Sequence, residues 1–557
     1  MPGSEARQDP ASRPDLVQIF EDLRSLRQAR VVDGIPDYSA AAIGDQKRHL
    51  SALRVRFDAL DPSGWPTRDV VDYLLVRSDL DMLDYGLNVY RPSSRSPNFY
   101  LSSISSFGLS SGPTLSRLGS LVMDPPPFDE TRAKAIIGQM RSIPRILEQA
   151  KVNLTEPTQE MSRWALPALD RAEESSRRFA DGLAPLFPAA RVAELRAAAD
   201  EMGRALLSYR QWIDSRLPTM THAQPIGKAL YDWVLRRIWL LPYDADDLLA
   251  LGEREYARYL SFSEFEAARN RALRPQGPPE TTADYAARTA SDDRRIRAFL
   301  TQKRVLSIPS FIGPYRRTQM PPYIVTFSLW AGLSGHHTPD GGEMKYSVPE
   351  DHPYTKTYWE AVMRVDPSTN IFHDGIPGHF FQGVVSARHP SPIRRRHTER
   401  YKSEGWATYW EETGLQLGYY DDRPRSRELV YNFLRLRALR VIIDVKMALG
   451  QMTAAQAVAA LMSVPMDRRI ASEEADDFFA APTGGTVYLT GKLQIEDLLA
   501  ERRRQLGAAF DVQEFHDRLV EAAWVLLELT RWEMTGNGDR VRKLLADRTP
   551  LPKPGTN

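Results

Sequence analysis

A single interruption in an otherwise helical pattern constrains this chain most. Leu16, Ile19, Phe20, Leu23 and Leu26 share one stripe, as an amphipathic helix requires. Residues 67–90 repeat the pattern. Residues 158–215 alternate alanine-rich and leucine-rich turns, the texture of packed antiparallel helices. Leu230 to about Asn270, 281–302, Arg425 to Leu449, Lys492 to Leu506 and Val512 to Trp532 continue it. Between Val305 and Tyr354 the texture changes. Val305, Leu306, Ile308, Phe311, Ile312, Ile324, Val325 and Phe327 sit among prolines and glycines, which reads as short strands and loops. The expected fold is mainly α, a large multi-helix body with one small β element.

That β element leads directly into Phe372-His373-Asp374-Gly375-Ile376-Pro377-Gly378-His379-Phe380-Phe381-Gln382. Two imidazoles and a carboxylate lie within seven residues, and Glu404 follows His379 by 25 positions. Imidazoles with a carboxylate are the ligand set of catalytic zinc, with one position left for water. The one-helix form is H-E-x-x-H, with both histidines on one face and the glutamate as base. Here Asp374 stands in the glutamate position, Pro377 at i+4, and the next histidine at i+6. Six residues turn through about 600°, so an unbroken helix would aim the histidines about 120° apart. They can share an ion only if the backbone bends between them, and Pro377-Gly378 supplies a cause. Two readings stand at this point: a metal site, or two ordinary histidines beside a Pro-Gly turn.

Composition narrows the classes. With 73 basic and 72 acidic residues the net charge is +1, so no field selects nucleic acid or a membrane surface. The expected partner is a small molecule or short peptide, with no nucleic acid and no membrane. There is no cysteine, which excludes disulfides, thiolate nucleophiles and cysteine zinc sites and fits a cytoplasmic location. Met1-Pro2-Gly3-Ser4-Glu5-Ala6-Arg7 has no apolar core and does not read as a secretory signal. No stretch reaches the roughly 18 apolar residues of a membrane span.

In chain order, residues 1–14 read as a disordered tail, 15–300 as a helical N-terminal region, and 301–557 as the metal-site region with the β element and C-terminal helices, all in one continuous body. Pro92 to Pro126 is rich in Ser, Gly and Pro and reads mostly as loop. Ile143-Pro144 reads as a kink or boundary, Asp214 to Lys228 as a loop, and His336-His337 as a surface turn. Thr453-Ala454-Ala455-Gln456 reads as an N-cap and first turn. A β element before the metal helix would give a cleft a rigid edge along which an extended substrate could pair.

His373-Asp374-Gly375-Ile376-Pro377-Gly378-His379-Phe380 and Glu404-Gly405-Trp406-Ala407-Thr408-Tyr409-Trp410-Glu411 carry a resemblance. They are similar to the pattern H-E-x-x-P-G-H-H followed by E-G-W-A-x-Y-x-E of the bacterial domain-of-unknown-function family 885. Tyr488-Leu489-Thr490-Gly491-Lys492, Phe515-His516-Asp517 and Ile143-Pro144-Arg145-Ile146-Leu147 also match, so the resemblance covers most of the chain. The family is grouped with gluzincin-like metallopeptidases, which implies a gluzincin-like body. It implies His373, His379 and Glu404 as metal ligands, zinc as the ion and Asp374 as the base. Glu411, two helical turns after Glu404, is placed to orient a ligand histidine or is a solvated helix charge. Tyr488 is a donor to a developing oxyanion or a buried aromatic. Arg437 and Arg440 are candidates to grip a substrate carboxylate, although an ion pair with Asp444 explains Arg440 as well.

The chain departs from the family pattern. Asp374 is shorter than glutamate by roughly 1–1.5 Å, a misplacement that can cost on the order of 100-fold. Phe380 replaces a second histidine, Ala448 stands where many members carry histidine, and 521–526 lacks a Gly-x-x-Pro. The leading expectation is a zinc-dependent hydrolase cleaving an amide or peptide bond of a small substrate by metal-activated water, with Asp374, Tyr488 and Arg440 as the catalytic set. The alternatives are a non-hydrolytic metalloenzyme catalysing cyclisation, elimination or rearrangement in specialised-metabolite biosynthesis, and a catalytically weak binding homologue.

Overall fold

The computed structural model describes residues 12–101, 115–325, 335–397 and 399–553. Helix accounts for 70% and strand for 4%, so the mainly helical class holds. Helices begin where short polar side chains can take up free backbone N–H groups. Capping boxes open Ala245–Arg269 (Asp244 with Asp247), Thr282–Lys303 (Thr281 with Asp284) and Ala454–Met462 (Thr453 with Gln456).

Several expected boundaries move. Pro144 lies inside the helix Glu130–Asn153 and does not end it. Ile136, Ile137, Met140, Ile143, Ile146 and Leu147 are buried on both sides of it, and this continuous apolar stripe outweighs one lost backbone bond. The supposed loop 92–126 contains helical turns at Pro92–Arg95 and Pro97–Tyr100 and a helix at Leu115–Met123; residues 102–114 lie outside the described residues. Of the expected tail, 1–11 also lie outside them, whereas Ser12 is buried and bonds Asp72 and Ser391. The last expected helix divides into Val512–Glu521 and Leu527–Thr535. Between them Ala523 adopts a left-handed φ of 53° and its carbonyl accepts a bond of 2.8 Å from the buried amine of Lys402.

The β element is a three-stranded sheet. Glu343–Ser347 is central, parallel to Tyr315–Gln319 and antiparallel to Gly335–His337. The strands avoid the apolar 305–312 segment and use Tyr315-Arg316-Arg317-Thr318-Gln319 instead, because Tyr315 and Arg317 are the inward-facing, buried positions. His336 and His337, expected in a turn, lie on the Gly335–His337 edge strand. There His337 Nδ1 stands 3.2 Å from Glu343 Oε2, its register partner. Phe327 lies outside the described residues.

Two large apolar cores fill the body. One joins helices of 16–213 to residues 525–544; the other joins 230–315 to 371–527. Three buried aspartates on helix Thr67–Tyr85 pair with distant parts of the chain: Asp72 with Arg394 at 2.7 Å, Asp79 with His397 at 3.0 Å and Asp81 with Arg237 at 2.9 Å. A charge this deep persists only when paired.

Phe515-His516-Asp517 is a structural clamp. His516 Nδ1–H donates to the Val305 carbonyl at 2.7 Å, and its Nε2 accepts from the Tyr409 hydroxyl at 2.8 Å. Asp517 accepts the Ser307 N–H at 2.9 Å. The trio ties the start of the β segment to the helix that carries Glu404. Burial pushes the His516 imidazole down to about 4, although the bond to Val305 works the other way. An unfolded chain takes up this proton below about pH 6.5, and the folded chain only below about 4. Stability from this group is therefore complete above 6.5 and is lost as pH falls from 6.5 to 4, by about 3 kcal/mol in all. Urea unfolding at pH 7.5 and 5 should show this loss, and His516→Gln should reduce it.

Candidate metal centre

The bend required by the sequence is present. Helix Pro367–Asp374 stops after Asp374, Ile376–Pro377 is cis, and a second helix, His379–Ser386, starts at the second histidine. Gly378 makes the turn possible, since a methyl group there would fall 1.8 Å from the His373 carbonyl oxygen. The imidazoles of His373 and His379 meet edge to face, with ring centres 4.8 Å apart.

The third element is helix Tyr401–Gln416, and each residue of its Glu-Gly-Trp piece has a physical task. Glu404 Oε2 lies 3.4 Å from His373 Nε2 and 3.3 Å from His379 Nε2. Gly405 lets this helix meet helix Val487–Leu506 backbone to backbone, since a methyl on it would lie 2.5 Å from the Gly491 backbone. Trp406 Nε1–H donates to the Pro377 carbonyl at 2.7 Å and holds the bend against the glutamate helix.

Glu411 lies on the same face as Glu404, two turns on. Its Oε1 is 2.6 Å from His373 Nδ1, so the two glutamates hold one imidazole by its two nitrogens. Arg437 backs Glu411 at 3.3 Å. Ser403 Oγ stands 3.3 Å from His379 Nδ1, a partner that the sequence reading missed although it adjoins Glu404. His373, His379 and Glu404 side chains are 15%, 27% and 22% exposed, enough for a small molecule to reach them.

Asp374 joins the cluster with a carboxylate oxygen within 4.8 Å of ligand atoms on both histidines. It is also clamped. Asn370 Nδ2–H donates to Asp374 Oδ2 at 2.7 Å, and Arg317 donates to Asn370 Oδ1 at 2.6 Å. Neither Asn370 nor Arg317 was expected; the only signal was the i, i+4 spacing of Asn370 and Asp374. Phe380 is nearly buried and faces the rings of Tyr315 and His337, forming an apolar wall beside His379. Ala448 lies eight residues past Arg440 on helix Pro424–Ala448, about 12 Å along its axis, so its lack of an imidazole removes nothing from beside Arg440.

Charge in the cluster is acid-rich: Asp374, Glu404 and Glu411 face two imidazoles and Arg437. Burial opposes charge on His373, but its contacts with Glu404 and Glu411 outweigh this and push it up to about 10. Burial likewise opposes charge on Glu404, and the adjacent His379 and His373 hold it well below the usual carboxylate range. Such a site is electrostatically suited to a cation.

The Tyr488 ring is roughly parallel to that of His373, centres 6.4 Å apart. The guanidinium groups of Arg437 and Arg440 lie 4.6 and 5.1 Å from its ring centre. Its hydroxyl has no bonded partner among the described residues. Arg440 is engaged through Nε, at 3.0 Å, and Nη2 by the carboxylate of Glu474. Asp444 instead accepts the Tyr231 hydroxyl at 2.7 Å and the N–H groups of Thr483 and Gly485 at 2.9 and 2.8 Å. It shapes the 483–486 turn that precedes Tyr488.

A family model for bacterial proteins of unknown function, DUF885, matches residues 27–522. No curated protein matches the sequence. Two solved structures share the fold. One is a candidate lipoprotein of unknown function from Shewanella oneidensis, 17% identical, TM-score 0.68, covering 93% of this chain and 97% of that one. The other is a candidate lipoprotein from Colwellia psychrerythraea, 15% identical, TM-score 0.71, covering 96% of this chain and 100% of that one. These neighbours overturn the cytoplasmic location expected above. That expectation rested on missing cysteines, which report on disulfides and thiol chemistry and leave the compartment open. No described helix is long and apolar enough to cross a membrane.

Proposed function

Since the chain belongs to the DUF885 family of bacterial proteins, whose function is unknown, we propose a function from the site itself: a metal-dependent hydrolase, zinc being the ion, that cleaves an amide or peptide bond of a small substrate. One observation carries the reading. Ligand atoms on a tetrahedral zinc, with bonds of 2.0–2.1 Å, stand about 3.3 Å from one another. Glu404 Oε2 stands 3.3 and 3.4 Å from the two Nε2 atoms. The donor set of two imidazoles and a carboxylate, with both histidines supported through Nδ1, is that of a gluzincin-like centre.

His373, His379 and Glu404 would hold the ion, which when bound supplies a water of lowered pKa and polarises the scissile carbonyl. Asp374, fixed by Asn370, takes the proton of the attacking water and passes it to the leaving amine. Tyr488 offers its unbonded hydroxyl to the oxygen that gains charge. Glu411 holds the tautomer and direction of His373, and Phe380 with Tyr315 keeps one side of the site dry. The location that accompanies this reading is membrane-anchored or extracytoplasmic, suggested by the candidate-lipoprotein descriptions of both structural relatives.

The test is direct. Purified protein should carry about one equivalent of zinc and hydrolyse members of a dipeptide and acyl-amino-acid panel. Chelation should abolish turnover, and added zinc should restore it. A chain without stoichiometric metal, and with turnover indifferent to chelator, would sink the reading. The short carboxylate of Asp374 favours one second reading, a non-hydrolytic metalloenzyme in the same pocket. Stoichiometric metal with no hydrolysis of any panel member supports that alternative.

A further inference from the structure

Tyr488 also borders a recess of about 60 Å³, lined with it by Arg400, Arg440, Glu474, Asp477, Gly484 and Gly485. We infer that this recess is a carboxylate-binding subsite anchored by Arg400, and that substrates are taken by a free C-terminal carboxylate. This rests on the hydrolase reading and names the substrate class for it.

Three arginines surround Tyr488, and two are committed. Arg437 pairs with Glu411 and Arg440 with both oxygens of Glu474. Arg400 is half-buried, yet no carboxylate lies within ion-pair distance of it among the described residues. Guanidinium groups withdrawn from water are ordinarily paired, because desolvation without a partner is costly. Arg400 has Asp477 as a charged neighbour but no carboxylate in direct contact, so a ligand carboxylate can complete it, and its planar fork matches one.

Arg400 is held in place by the fold. It directly precedes helix Tyr401–Gln416, and its carbonyl accepts the Glu404 N–H at 2.9 Å, so the anchor and the proposed ligand are one turn apart. Gly484 floors the recess: a methyl group on it would lie 3.5 and 3.9 Å from the two terminal nitrogens of Arg400. Of the bordering acids, Glu474 is taken by Arg440, and Asp477 makes no ion pair among the described residues; burial raises its carboxyl, while the nearby charge of Arg400 works the other way. The recess has room for about two waters, at roughly 30 Å³ each, the size of one carboxylate group. The Tyr488 ring that borders the recess has its centre 6.4 Å from that of His373. An extended residue spans about 3.5 Å, so the held carboxylate belongs to the first or second residue after the cleaved bond.

The experiment compares dipeptides and tripeptides with their C-terminal amides, on the full chain and on Arg400→Ala, Arg400→Lys and Gly484→Val. Turnover is measured with zinc added, and affinity by calorimetry on chelator-treated protein. The unaltered chain should prefer acids over amides by at least about tenfold, the effect of a charge-assisted pair. Arg400→Ala should bring the ratio to within about twofold by raising KM and Kd for acids, with kcat and amide affinity kept. Arg400→Lys should fall between. Gly484→Val, which keeps the cation but fills the recess, should match Arg400→Ala. Equal affinity for acids and amides in the unaltered chain overturns the subsite, as does a preference that survives Arg400→Ala. Absent hydrolysis with the acid preference intact overturns the hydrolase reading alone. Hydrolysis indifferent to the terminus overturns the subsite alone.

Discussion

Glu404→Ala is expected to purify with less than about a tenth of an equivalent of zinc, and to lose all hydrolysis. Four-ligand zinc sites bind with about 10–16 kcal/mol, or roughly 2.5–4 kcal/mol per ligand. Losing one ligand should therefore weaken the ion by a factor on the order of 10²–10³. Geometry sets a hierarchy behind this. Glu404 Oε2 stands within 3.4 Å of both imidazole Nε2 atoms, whereas Glu411 reaches only the far nitrogen of His373, at 2.6 Å. Glu411→Gln should thus cost about 10- to 100-fold in affinity, the usual effect of losing a group that orients a ligand. Chelator competition followed by elemental analysis reads both. If Glu411→Gln strips the ion and Glu404→Ala keeps it, the ligand set is wrong. The two variants also separate metal loss from misfolding. Glu404 and Glu411 sit on one helix, and circular dichroism should show that helix intact in both.

What the sequence disclosed about this site follows from chemistry local in the chain. Proline with glycine between two histidines forces a bend, and the bend is there. Glutamates seven apart must share a helix face, and both meet His373. Partners distant in sequence were not legible. Glu474, which occupies Arg440, is 34 residues away, and nothing in the i, i+4 pattern distinguished it from Asp444. Arg400 drew no attention in the sequence, since its lack of a direct carboxylate contact is a property of packing. The sheet was misplaced because strands were sought among apolar residues. The actual strand Tyr315–Gln319 buries Arg317 against Asn370, a polar interior that hydropathy does not reveal. Of the two readings of Pro144, kink or boundary, the boundary failed for the converse reason: a local rule about proline yielded to an apolar stripe that extends through it. The helical class needed only periodicity, which is why it was read most securely.

Asp374→Asn should lower kcat by about 10²- to 10⁴-fold, the usual worth of a general base, with zinc content and KM unchanged. Asp374 approaches the histidine nitrogens but makes its bond to Asn370. Removing its charge therefore leaves the ligands in place and takes away only the proton acceptor. The informative companion is Asp374→Glu. It extends the carboxylate by roughly 1–1.5 Å, toward the 2.6–3.2 Å that proton transfer needs. It also pushes the group past Asn370, whose amide is fixed at the far side by Arg317. Two effects compete, longer reach and a lost clamp. Misplacement of this size is worth on the order of 100-fold, while one neutral hydrogen bond is worth about 1 kcal/mol, or roughly fivefold. Reach should win, and Asp374→Glu should raise kcat about 10-fold or more on peptides. Asn370→Ala in the native background should lower kcat only about fivefold and leave zinc content alone. A native chain without hydrolysis that Asp374→Glu fails to awaken, zinc still bound, would mean that the short carboxylate suits different chemistry. The pocket then belongs to the non-hydrolytic reading, in which Asp374 moves a proton on a substrate carbon or heteroatom and no water is activated.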